Sequence, residues 1–202
     1  MKYPFIAIAA AVLLCGCFTS EKPFYQQGDI VTDDRLVGTY DGGKPYHWEV
    51  RKADEGSYDV TVVGVGPNKS CLMEFTGVLF RLGTNQFIDL LPVIKACDHT
   101  SEGTAPALGL IEMLQAATIQ PLHLVVKVHI GINEIGVGGL NDQWLQFAKQ
   151  DAEEFFLNWR GPIPPLPRGP LRMNPDTQLQ RAFLVRFGSD TNKFLFETMK
   201  RL

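Results

Sequence analysis

The side chains in this chain that could act on a substrate or hold a metal are few, and their spacing decides what they could do. His123 and His129 fall on one side of an alternating stretch, about 20 Å apart at ~3.3 Å per residue. One metal ion cannot bridge that span, and Lys127 between them would repel a cation. Cys71, Cys97 and His99 offer three ligands where a structural zinc site wants four, and no Cys-x-x-Cys is present. Ser20, Ser57, Ser70, Ser101 and Ser189 sit in turn- or loop-like surroundings, and no Gly-x-Ser-x-Gly elbow exists. Gly64-x-Gly66 and Gly136-x-Gly138-Gly139 lack the lysine of a P-loop and the spacing of a dinucleotide fingerprint. The expectation is a non-enzymatic chain with no metal and no cofactor.

Cys17 has more definite chemistry. An apolar run, Phe5 to Leu14, follows a single charge at Lys2, which is the layout of a secretory signal peptide. The run is shorter than the about 20 residues that span a bilayer. The quartet Leu14-Cys15-Gly16-Cys17 resembles the lipobox of bacterial lipoproteins, with a small residue before the cysteine that becomes the new N-terminus. That resemblance implies residues 1–16 as signal peptide, a diacylglyceryl (palmitate-type) lipid on the Cys17 thiol and a third acyl chain on its amine. More than one chain is what stable attachment needs, at about 0.8 kcal/mol per buried CH₂. Phe18, rather than Asp, follows the cysteine, which implies delivery to the cell outer membrane, facing the periplasm. The membrane is thus an expected partner through the N-terminal lipid.

With Cys15 removed and Cys17 acylated, Cys71 and Cys97 remain as a pair in an oxidising compartment, and a disulfide bond between them is expected. Its 27-residue loop would stabilise the fold by about 3.5 kcal/mol on the chain-entropy model. The mature part carries 18 basic side chains (the chain's 19 less Lys2) against 22 acidic ones, with no basic patch, so no nucleic acid is expected as partner. Apolar residues at 45% indicate a globular chain, long enough for one domain with a sizeable core.

The elements follow from periodicity. Residues 17–33 are polar and read as a lipidated N-terminus and tether, leaving 34–202 as one β-rich domain. Strands are expected near Leu36, Trp48, Tyr58, Cys71, Phe87, Leu122, Glu134 and Phe194, separated by Gly-, Asp- and Asn-rich turns. In the long strand Phe75, Gly77, Leu79 and Arg81 share one face, and Leu72, Glu74, Thr76, Val78, Phe80 and Leu82 the other. Leu122, Leu124, Val126, Val128 and Ile130 oppose His123, Val125, Lys127 and His129. Trp144, Phe147, Ala148, Ala152, Phe155 and Trp159 recur at helical spacing after an Asn141 cap, so a helix is expected up to Gly161. Five prolines over 161–170 demand extended chain. A second helix is expected from Asn174, with Pro175 in its first turn and Gly188 at its end.

Val37-Gly38-Thr39-Tyr40, Trp48, Tyr58, Phe75-x-Gly77-x-Leu79-Phe80-Arg81-Leu82-Gly83, Phe87-x-Asp89-Leu90, Pro121-x-His123 and Trp144-Leu145 recur in an order that resembles uncharacterised bacterial lipoproteins with a calycin (lipocalin-like) β-meander. The lipocalin Gly-x-Trp appears here as Gly38-Thr39-Tyr40. The fold expected is α+β: an antiparallel, barrel-like or strongly curved sheet with two packed helices. The function expected is a lipid-anchored envelope protein binding a small hydrophobic ligand or an envelope component. Tyr40, Trp48, Phe75 and Leu79 are expected to line the cavity, with His123 or Arg81 at its rim. A structural or assembly lipoprotein binding a protein partner is the alternative, and a hydrolase a third reading without a motif to carry it.

Overall fold

The computed structural model describes residues 18–43, 46–64, 71–93, 122–140, 155, 171–189 and 194–202. At 18, 64, 71, 72, 140, 171, 172 and 194–196 it describes the backbone alone. Ten strands run in chain order: β1 (Phe18–Ser20), β2 (Gly38–Asp41), β3 (Tyr46–Lys52), β4 (Ser57–Gly64), β5 (Cys71–Leu82), β6 (Asn85–Pro92), β7 (His123–Ile130), β8 (Glu134–Leu140), β9 (Leu171–Arg172) and β10 (Phe194–Arg201). One α-helix, α1, spans Thr177–Gly188.

Eight of these strands, β2 to β8 and β10, pair antiparallel around a closed barrel. Closure abolishes the exposed edges that an open sheet would present. The seam is narrow: β10 meets β2 only through Lys200 opposite Asp41 and Arg201 opposite Tyr40. Elsewhere the ladder is long, as in the seven pairs that join β10 to β8.

Alternation sets the inside. Tyr40, Trp48, Val50, Tyr58, Val60, Val62, Phe75, Leu79, Ile88, Leu90, Val126, Val128, Ile130, Ile135, Val137 and Met199 form one buried cluster in the barrel. A barrel of about eight strands has room for side chains or one small ligand, and the middle of this one is filled. Gly77, expected to loosen the packing, does not: a β-carbon there would sit 2.9 Å from Ile88 Cδ1 and 3.2 Å from Val60 Cγ2. Its neighbours already occupy the space.

A second core lies outside the barrel wall. Phe80, Leu82, Phe87 and Val125 of the outer face pack against Phe24, Phe155, Met173, Phe183, Leu184 and Phe187. Helix α1 supplies the last three, and Asp176 caps it by accepting from the N–H groups of Gln178 and Leu179. The helix therefore starts after Pro175 rather than with it. Buried Lys127 donates from Nζ to Gly188 O at the helix C-terminus, 2.5 Å away, where the helix dipole favours a cation. The first expected helix and the proline run lie outside the described residues except for Phe155, which is buried against α1.

Residues 18–33 are a correction. They are not a free tether but part of the fold. β8 leaves β7 beyond Gly138, and β1 takes over the vacated edge with Phe18 opposite Val125 and Ser20 opposite His123. From there the chain buries Phe24 completely, bridges at Ile30 to Phe80, and bonds Val31 N–H to Leu79 O. A 3-10 turn, Asp34–Leu36, then buries Leu36 in the barrel cluster. Expected strand character near Leu36 begins two residues later, at Gly38.

Candidate functional site

The two ends of the barrel differ. At one end the connections are short: Ala53–Gly56, the Gly83–Thr84 turn and Gly131–Asn133. Here the 3-10 turn and Arg201 form a lid. One Arg201 guanidinium nitrogen donates to Arg35 O at 2.5 Å, Val37 O at 2.7 Å and the Tyr40 hydroxyl at 3.0 Å. The guanidinium also lies over the Tyr40 ring, 5.5 Å from its centroid. Tyr40 donates its own hydroxyl to Arg35 O at 2.7 Å. The Tyr58 hydroxyl accepts from Asp33 N–H at 2.8 Å. Both interior tyrosines thus spend their polar ends on the lid, as buried phenols usually do.

The other end carries the connections 42–45, 65–70, 93–122, 141–170 and 189–193. Its inward-facing residues Tyr46, Met73, Leu124 and Glu197 are only partly buried, in contrast to fully buried Tyr40, Tyr58 and Leu79. One layer further in, Trp48 stands opposite Tyr40 and Val62. Trp48 Nε1 and the Tyr46 hydroxyl are buried and, among the described residues, have no hydrogen-bond partner. Burial, then the negative charge of Glu197, pushes the Tyr46 phenol up to about 12, so it stays neutral. Such orphaned donors are uncommon, because each loses its water without replacement.

Of the residues singled out from sequence, Tyr40, Trp48, Phe75 and Leu79 do come together in one cluster. Leu79 and Tyr40 are packing, not lining, with no exposed surface. Arg81 is exposed at the lidded end, the last inward position before the Gly83–Thr84 turn, where its charge helps lower the Asp33 carboxyl behind Arg35. His123 is on the outer wall, because Leu124 and Val126 take the inward positions of β7. Neither therefore stands at a rim shared with Trp48. Cys17 and Cys97 lie outside the described residues.

Sequence reasoning missed Asp89, which carries a buried polar group on the outer wall. Its carboxylate oxygens lie 2.8 Å from His123 Nδ1 and 2.9 Å from the donating N–H of Phe24. Strand order then sets Asp89, His123 and Ser20 side by side on β6, β7 and β1, the sequence acid–base–hydroxyl of a hydrolytic triad. Ser20 bonds elsewhere, however. Its Oγ accepts from Gln180 Nε2 at 2.6 Å and Lys22 N–H at 3.0 Å, and Ser20 is 2% exposed. The hydroxyl lacks the bond to the imidazole and the access that attack on a carbonyl requires. What the group does, as placed, is clasp the N-terminal strand to the barrel. An acid within the apolar Phe87–Leu91 run was the one available signal.

Among the described residues no three His, Cys, Asp or Glu side chains converge to hold a metal, and no helix is long and apolar enough to cross a membrane. No protein-family model, curated protein or solved structure matches this chain.

Proposed function

We propose that this chain is a lipid-anchored envelope protein whose barrel takes a small hydrophobic ligand at the end away from the Arg201 lid. The observation that carries the reading is the pair of buried donors without partners, Trp48 Nε1 and the Tyr46 hydroxyl. Tyr46 is half-buried at this end together with the apolar side chains Met73 and Leu124, and Trp48 stands one layer further in. Concave apolar walls with a few convergent polar groups are what small-molecule sites consist of. The protein-partner reading has less to stand on. Among the described residues, the exposed large apolar side chains Val93, Ile132, Val185 and Leu202 belong to four different segments of the chain.

The ligand reading is tested by titrating the apolar fluorophore N-phenyl-1-naphthylamine into mature chain carrying Cys17→Ser, so that no lipid or detergent competes. Saturable binding that weakens in Trp48→Ala with the fold intact supports it, and the absence of binding retires it. The same Cys17→Ser chain tests the anchor: expressed with its leader, it should leave the membrane fraction or accumulate uncleaved. Unchanged membrane partitioning would show that the thiol carries no lipid.

A further inference from the structure

We infer that the end of the barrel away from the Arg201 lid selects an uncharged hydrogen-bond acceptor, an ester or amide carbonyl on an apolar chain, through Trp48 Nε1–H and the Tyr46 hydroxyl. This rests on the ligand reading above and adds the chemistry of the polar group. An indole nitrogen only donates, and a phenol that remains protonated donates as well. Tyr46 remains protonated because burial and Glu197 hold its phenol up to about 12. Two buried donors without partners therefore ask for lone pairs.

Charge decides which lone pairs. The Glu197 carboxylate lies close enough to Tyr46 to act on it. It also flanks the β2–β3 connection, where a β-carbon on Gly42 would be 2.7 Å from its Oε1. A carboxylate or phosphate ligand would lose its water on reaching the two buried donors. An ammonium group would present donors to donors at Trp48 and Tyr46. Unlike these charged groups, a carbonyl satisfies the two donors without bringing a charge inside. Trp48 is also held in place, since its strand neighbours Tyr40 and Val62 are fixed in the barrel cluster.

The test is a competition series against bound N-phenyl-1-naphthylamine, using methyl decanoate, decanoic acid, decylamine and decane on the mature Cys17→Ser chain. The expected result is that the ester competes about 10-fold more strongly than decane, the worth of one good hydrogen bond. Acid and amine should be weaker than the ester. The preference should shrink to near unity in Trp48→Phe/Tyr46→Phe, which keeps both rings and removes both donors. Retained probe binding by that variant shows that it still folds. Equal competition by ester and decane, stronger competition by the acid or the amine, or a preference that survives the double variant would each overturn the inference and leave the ligand reading standing. If the fluorophore itself does not bind, the ligand reading fails and the inference with it.

Discussion

Arg201 shows how much one side chain can close. It sits on the narrowest seam of the barrel, and its guanidinium bonds two backbone carbonyls of the 3-10 lid while covering Tyr40. A planar, always-charged fork suits that geometry, and a lysine could not reproduce it. Arg201→Ala should lower stability by about 3 kcal/mol, taking a charged hydrogen bond at 1.5–3 kcal/mol with a cation–π contribution. Arg201→Lys should recover less than half of that in urea unfolding; full recovery would mean the fork is dispensable. The buried phenols make a second prediction at this scale. Burial raises Tyr25, Tyr58 and Tyr46 above the ordinary value of 10.0, Tyr46 to about 12. A folded value above the unfolded one means that the stabilisation is complete below pH 10 and is lost as pH rises toward the folded values. Phenolate absorbance should therefore appear together with loss of the β-sheet circular dichroism signal. Ordinary titration of these three in a still-folded protein would contradict their burial.

Among the elements, the N-terminal strap carries the most consequence. From Phe18 to Val37 it runs down the outside of the barrel, from the end beside His123 to the lid over the other end. Its upper half depends on the Asp89 carboxylate, which receives Phe24 N–H and faces His123. Asp89→Ala should cost about 3 kcal/mol, because the partners it leaves behind are buried. The loss should be local. Amide exchange should quicken over Phe18–Phe24 while β3, β4 and β5 stay protected. Uniform loss of protection across the barrel would mean that the clasp belongs to the global core. Helix α1 reinforces the strap through Gln180, which is fully buried and donates to both Ser20 Oγ and Asn174 O.

At the scale of the molecule, the barrel has a lid at one end, and its longer connections start from the other. Cys71 begins β5 at the end away from the lid, and Cys97 belongs to the connection that leaves β6 from that same end. Their disulfide would tie that connection to the start of β5. Thiol labelling of denatured, unreduced mature protein is expected to find neither cysteine free. Labelling of both would remove the tie, and the roughly 3.5 kcal/mol it would contribute. The strap also bears on attachment, since Phe18 is already in the sheet. A lipid on Cys17 would then hold the barrel at the bilayer with no spacer between them.

What the sequence determined by itself was the wall of the barrel. Six of the eight expected strand positions fall inside barrel strands; Leu122 lies one residue before His123, where β7 starts, and Leu36 two residues before Gly38, where β2 starts. Inward and outward faces of β5 and β7 fall as alternation places them, because side-chain direction in a strand has a period of two and is set locally. Helix α1 was legible for a similar reason, with only its start displaced to the cap at Asp176. Tertiary structure decided the rest. Phe18–Ser20 is too short and polar to declare itself, and it is a strand only because β8 vacates an edge of β7 more than a hundred residues later. Asp89 pairs with His123 across 34 residues and Arg201 with Tyr40 across 161, so no local pattern could announce either. Whether Trp48 lines a site or fills a core was equally beyond periodicity. Alternation turns a side chain inward, but only its neighbours decide whether its polar atom finds a partner there.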